Sequence, residues 1–132
     1  MPKLLTTAFL GGLALAMAGP AAAADDPSIK GELRASIQAA MSDHVRAQTL
    51  DGDYVLYDAV DGQLLRLRFD AMHAGIVRKG NFYVSCADFT AADGTYYDLD
   101  MLVADHPTDG MRVLQAIVHK KGDDKRQYHV HD

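Results

Sequence analysis

Apolar residues recur along this chain with two different periods. From Ile29 to Val45 the spacing is helical: Ile29, Leu33, Ile37, Ala40, Met41 and Val45 are apolar, with Lys30, Glu32, Arg34, Gln38 and Asp43 between them. A single apolar stripe on a charged cylinder predicts one amphipathic helix over Pro27–Gln48. Pro27 suits a first helical position and Asp26 the cap before it. After Leu50 the period shortens to two. Asp51-Gly52, Asp61-Gly62, Asp93-Gly94 and Asp109-Gly110, with Gly80 and Gly122, separate short runs rich in Tyr, Val, Leu and Phe. Asp-Gly accepts the positive φ angles of tight hairpin turns, so this punctuation predicts an antiparallel meander. Strands are expected near Asp53–Val60, Gln63–Phe69, Asn81–Phe89, Thr95–Ala104, Met111–His119 and Lys125–Val130. The segment Ala71–Lys79 fits either a short helical turn or a strand.

Alternation assigns faces to these strands, because a one-residue slip exchanges the two sides of a sheet. A two-residue turn at Asp61-Gly62 puts Tyr54 and Leu56 on one face with Leu65, Leu67 and Phe69, and Val55, Tyr57, Arg66 and Arg68 on the other. In the next hairpin Phe82, Val84 and Cys86 align with Leu99, Met101 and Val103, and Leu114, Ala116 and Val118 continue that face. It is the natural bed for the helix stripe. The expected fold class is α+β: one N-terminal helix packed on a curved antiparallel meander sheet.

The leader and the charge balance set the context. MPKLLTTAFLGGLALAMAGPAAAA holds one basic residue (Lys3), an apolar stretch from Leu4 to Ala18, a break at Gly19-Pro20 and a run of alanines. This is the layout of a signal peptide cleaved after Ala24. Its apolar stretch is shorter than the ~20 residues a spanning helix needs. The expected organisation is a signal peptide over 1–24 and a single domain over 25–132, periplasmic or secreted, with no membrane anchor after cleavage. The chain carries a net charge of −5, and loss of Lys3 makes the domain more acidic still. Such a field argues against nucleic acid or an anionic membrane as partner. Cys86 is the only cysteine, so no internal disulfide forms and the apolar core must hold the domain.

A long N-terminal helix followed by a meander resembles the cystatin-like and nuclear-transport-factor-2-like group of folds. The stretch FYVSCADFTAADGTYYDLDMLV, with VHKKGDDKRQYH after it, is similar to small exported bacterial proteins of uncharacterised function. The Gln-x-Val-x-Gly loop of true cystatins is absent, so protease inhibition is not implied. The pocket Tyr/Asp arrangement of ketosteroid-isomerase relatives has no counterpart either.

Candidate chemistry gathers on the last three strands. Pairing through Asp109-Gly110 and a turn at Gly122-Asp123-Asp124 puts Asp98, Asp100, Gln115, His119, His129 and His131 on the face away from the helix. Imidazole with carboxylate is a usual ligand set for zinc or copper, although polar residues on an exposed sheet face are also what alternation predicts. Cys86, on the expected core face beside Leu99 and Met101, reads as a small buried hydrophobe. A reactive thiol would need a neighbour such as His73. Arg66 and Arg68 share a face with Tyr57, either gripping an acidic ligand or lying solvated over the ring. Leu102, Val113 and Ile117 are expected on the outer face as an apolar patch for a protein partner, a second copy of the chain included. Phosphate-binding glycine loops, Cys-x-x-Cys, His-Glu-x-x-His and Gly-x-Ser-x-Gly are all missing. The leading expectation is an exported, non-enzymatic binding or accessory protein that engages a protein partner or small ligand through the sheet face or the helix–sheet cleft. The alternative is a periplasmic metal-binding protein using Asp98, Asp100, His119, His129 and His131. A small enzyme with a helix–sheet pocket ranks third.

Overall fold

The computed structural model describes residues 24–127. The helix, α1, spans Gly31–Ala47 and starts one turn later than its apolar stripe suggests. Asp26 does not cap it. Its carboxylate accepts from Ser28 N and Oγ (2.9 and 2.7 Å) and closes a tight turn in which Ile29 N donates to Asp26 O. Gly31 then takes φ +59°, a left-handed value that only glycine adopts cheaply. Ile37 and Met41 are fully buried, with Ala40 and Val45 beside them on the same stripe. Each large side chain so buried contributes about 1.5–3 kcal/mol.

Seven strands follow: β1 Thr49–Leu50, β2 Asp53–Asp58, β3 Gln63–Lys79, β4 Phe82–Ala91, β5 Tyr96–His106, β6 Gly110–Lys121 and β7 Asp124–Lys125. Every neighbouring pair is antiparallel and the strand order follows the chain. The expected meander is therefore present, but the expected α+β class is overturned. Strand accounts for 58% and helix for 16% of the described residues, in an open sheet that carries a single helix. Two segments shift the balance. Ala71–Lys79 continues β3 as strand through two irregularities, at Phe69/Ala71 and Met72/Ile76, and the helix loses its first turn. Among the described residues no helix is long and apolar enough to cross a membrane.

The helix rests against β5 and β6. Beneath it the core gathers Leu67, Phe89, Leu99, Met101, Val103 and Val118. Tyr54 joins them, its ring 4.7 Å from that of Phe89 between centroids and its hydroxyl 2.8 Å from His44 Nε2 on the helix. The segment before the helix is bound too. Asp26 N donates to Ile76 O, and Arg34 reaches from the helix to Asp25, Ile29 O and Ala74 O.

Bulges bend the sheet, and ion pairs clasp its two ends. Arg126, beyond β7, meets Asp58 at 2.6 Å and Asp61 at 3.3 Å, while Lys121 meets Asp61 at 2.8 Å. The Asp58 and Arg126 side chains are only 3% and 12% exposed, so this contact is a buried pair.

Two face assignments are corrected by the register. β4 and β5 pair Cys86 with Asp100, Val84 with Leu102 and Ala87 with Leu99, one residue away from the expected alignment. Leu99, Met101 and Val103 thus share the helix-side face with Tyr83, Ser85, Ala87 and Phe89. Cys86 turns to the opposite face. The expectation of Cys86 beside Leu99 and Met101 fails because β4 is buried on both sides from Tyr83 to Ala87, so alternation there carries no sign. On β6 the irregularity between Leu102 and Val103 pairs Leu102 with Gln115 and Val103 with Val113, skipping Leu114. Val113 enters the core instead of the outer patch, and Leu114, expected inside, is 58% exposed.

Candidate metal centre

On the face away from the helix, the central strands β4, β5 and β6 bring together side chains that sequence reasoning had divided between two faces. Direct cross-strand partners place Cys86 opposite Asp100 and Asp88 opposite Asp98. The irregularity between Asp98 and Leu99 on β6's side leaves His119 between Val118 and Lys120, the partners of Leu99 and Asp98. His119 Nδ1 lies 3.4 Å from Asp100 Oδ1 and 3.5 Å from Asp98 Oδ2. The Cys86 thiol donates to Asp100 Oδ1 at 2.9 Å. Cys86, Asp98, Asp100 and His119 are all buried, and each offers one ligand atom within 4.8 Å of the others.

A second set adjoins the first. His73 lies in the β3 segment between Met72 and Ile76, where the strand gains residues over β4. Its Nε2–H donates to Asp88 Oδ1 at 2.7 Å, and the Tyr96 hydroxyl donates to the same oxygen at 2.7 Å. His73, Asp88 and Asp98 also offer three ligand atoms within 4.8 Å, so Asp98 belongs to both sets. His73 and Asp88 are more open, with side chains 23% and 29% exposed.

Among the described residues, the group sets three carboxylates against two imidazoles. Like charges directly opposite on neighbouring strands destabilise a sheet, yet Asp88 faces Asp98. The ion pairs that Asp88, Asp98 and Asp100 make among the described residues run to His73 and His119, which are charged only when protonated. Burial pushes the Asp98 carboxyl above its ordinary range, with Asp100 and Asp88 adding to the rise and His73 and His119 opposing it. Asp98 Oδ1 is buried and makes no hydrogen bond. Burial, followed by the charge of Asp100, pushes the Cys86 thiol up strongly. Burial and then the hydrogen bond to Asp88 do the same to Tyr96. The Cys86 thiol is thus engaged with Asp100, and His73 with Asp88.

The remaining expected residues scatter. Arg66 lies 3.6 Å from Asp53 and Arg68 3.5 Å from Asp70, both arginines exposed. Leu102 and Ile117 are half-buried on the outer face, Ile117 directly opposite Asp100, and they make the group's surroundings apolar. His129 and His131 lie outside the described residues. Sequence reasoning named Asp98, Asp100 and His119 but missed Cys86, Asp88 and His73 as members of the same group. Its available signal was the pairing of Cys86-x-Asp88 with Asp98-x-Asp100, two strands each alternating ligand-type side chains. No family model, curated protein or solved structure matches this chain.

Proposed function

We propose that this chain is an exported metal-binding protein whose principal site is Cys86, Asp98, Asp100 and His119. The observation that carries the proposal is the buried convergence of these four ligand atoms within 4.8 Å. One sulfur, one imidazole nitrogen and two carboxylate oxygens suit zinc, whose ligands sit at about 2.0–2.3 Å in a tetrahedral shell. Copper(II) is the natural competitor for the same donors. A modest contraction of the group, with the Cys86–Asp100 hydrogen bond given up, brings the four atoms to that spacing. The ion brings positive charge to a group in which Asp88 stands directly opposite Asp98. Four protein donors fill the shell, so this site holds a metal and does not present it to a substrate. Export is supported by the leader alone.

Binding requires the Cys86 thiol and Asp98 to be without protons, so metal uptake releases protons and weakens in acid. Calorimetric titration of the purified protein with zinc tests the proposal. The expected result is saturable binding at micromolar or tighter affinity, weakened at least ~100-fold in His119→Ala and Asp100→Asn. Absence of saturable binding, or binding indifferent to both substitutions, would sink it.

A further inference from the structure

We propose that the group is a two-metal centre, with Asp98 as the bridging carboxylate and His73 and Asp88 as the further ligands of a second, solvent-facing divalent cation. This rests on the zinc-site proposal and extends it. The six candidate ligands do not form one set; they form two that share only Asp98. A carboxylate has two oxygens, and those of Asp98 are in different situations. Oδ2 lies 3.5 Å from His119 Nδ1, on the side of the inner set. Oδ1 is buried without a hydrogen-bond partner, in a residue only 9% exposed. An orphaned buried carboxylate oxygen is costly unless a cation meets it. The second set is where one fits: Asp88 stands directly across the strand pair from Asp98, and His73 is held against Asp88 from the bent part of β3. A shared carboxylate sets two ions about 3.5–4 Å apart, the usual spacing of two-metal sites.

The two positions differ in access. The inner set has four buried protein ligands, the closed arrangement of a structural site. The outer set has three, two of them partly exposed, which leaves a coordination position for water or a small anion. The inner ion is therefore held and the outer ion exchanges.

Native mass spectrometry of the purified protein, titrated with zinc and then with a chelator, reads the stoichiometry directly. Two ions per chain are expected, the outer one chelator-labile and the inner one retained. His73→Gln and Asp88→Asn alter partly exposed side chains, so both variants should keep the fold, verified by circular dichroism; each is expected to bind one ion with inner-site affinity unchanged within about threefold. Asp98→Asn is expected to lose the outer ion and weaken the inner one. Saturation of the wild type at one ion, unaltered by His73→Gln and Asp88→Asn, overturns the two-metal centre and leaves the zinc site standing. No bound ion overturns both.

Discussion

The clasp and the candidate metal centre both gather charge, and they do so in opposite ways. At the clasp two carboxylates, Asp58 and Asp61, meet two permanent cations, Arg126 and Lys121. In the candidate metal centre, among the described residues, three carboxylates and a thiol meet two imidazoles. The proton affinities follow. Lys121 and then Arg126, through their hydrogen bonds, hold the Asp61 carboxyl below its ordinary range. Burial holds Asp98 above it. The clasp is internally compensated and joins distant parts of the sheet. The ion pairs of the candidate metal centre, among the described residues, run to imidazoles, and the group lies on the central strands. Stability is the expected product of the clasp, and the candidate metal centre is expected to give some of it up. Such a deficit is a usual mark of a site kept for function.

The largest effect that can break this comparison is at the clasp. Asp58→Ala leaves the Arg126 guanidinium without its most buried partner and is expected to destabilise the fold by about 3–5 kcal/mol, measured as the urea unfolding midpoint. A loss under about 1 kcal/mol would show that the clasp is not a stabilising device. In the candidate metal centre the expected sign reverses. Asp98→Asn removes a buried, under-compensated charge, and the metal-free protein is expected to gain about 0.5–2 kcal/mol while losing zinc affinity. Destabilisation by Asp98→Asn in metal-free protein would place Asp98 with the structural pairs.

The pH profiles sharpen the contrast. Asp61, with its lowered folded-state pKa, contributes stability that is present above the ordinary carboxylate range and is lost as pH falls through the folded value. Asp61→Asn should flatten that acid limb. Asp98, with its raised folded-state pKa, favours the fold while protonated, and this contribution is lost as pH rises from the ordinary carboxylate range through the raised value. Asp98→Asn should remove that loss in metal-free protein. Equal effects of the two substitutions across the pH range would erase the distinction. The smallest expected change is at Arg68, an exposed pairing with Asp70. Arg68→Ala should shift stability by less than about 0.5 kcal/mol, and a larger shift in the unfolding midpoint would mean that the surface arginines matter more than their exposure indicates.

Much of the fold was legible in the sequence because its signals are local. The stripe from Ile29 to Val45 marked the helix, and the Asp-Gly pairs marked most of the turns. Asp51 and Gly52 both take positive φ, as that turn chemistry predicts. What escaped depends on non-local register. The segment from Ala71 to Lys79 has weak alternation because β3 bends there, so neither helix nor strand stood out. On β4, five consecutive buried residues hid which face was which, and a slip of one residue moved Cys86 from the helix-side face to the candidate metal centre. Bulges did the same on β6: Leu114 and Val113 exchanged places because an extra residue sits opposite Leu102 and Val103. Asp98, Asp100 and His119 were found since alternation within β5 and β6 held up to the bulge. Cys86, Asp88 and His73 were not, because each depends on pairing to a strand whose register the sequence does not print.

Cobalt(II) titration of the metal-free protein tests the central claim most directly, since cobalt accepts zinc's ligands and reports them optically. Coordination by Cys86 in a four-ligand shell predicts a thiolate-to-cobalt charge-transfer band and intense visible absorption, both discharged by stoichiometric zinc, with the charge-transfer band absent in Cys86→Ser. A weak spectrum typical of hydrated cobalt, or a full spectrum that persists in Cys86→Ser, would contradict the assignment of Cys86, Asp98, Asp100 and His119 as a metal site.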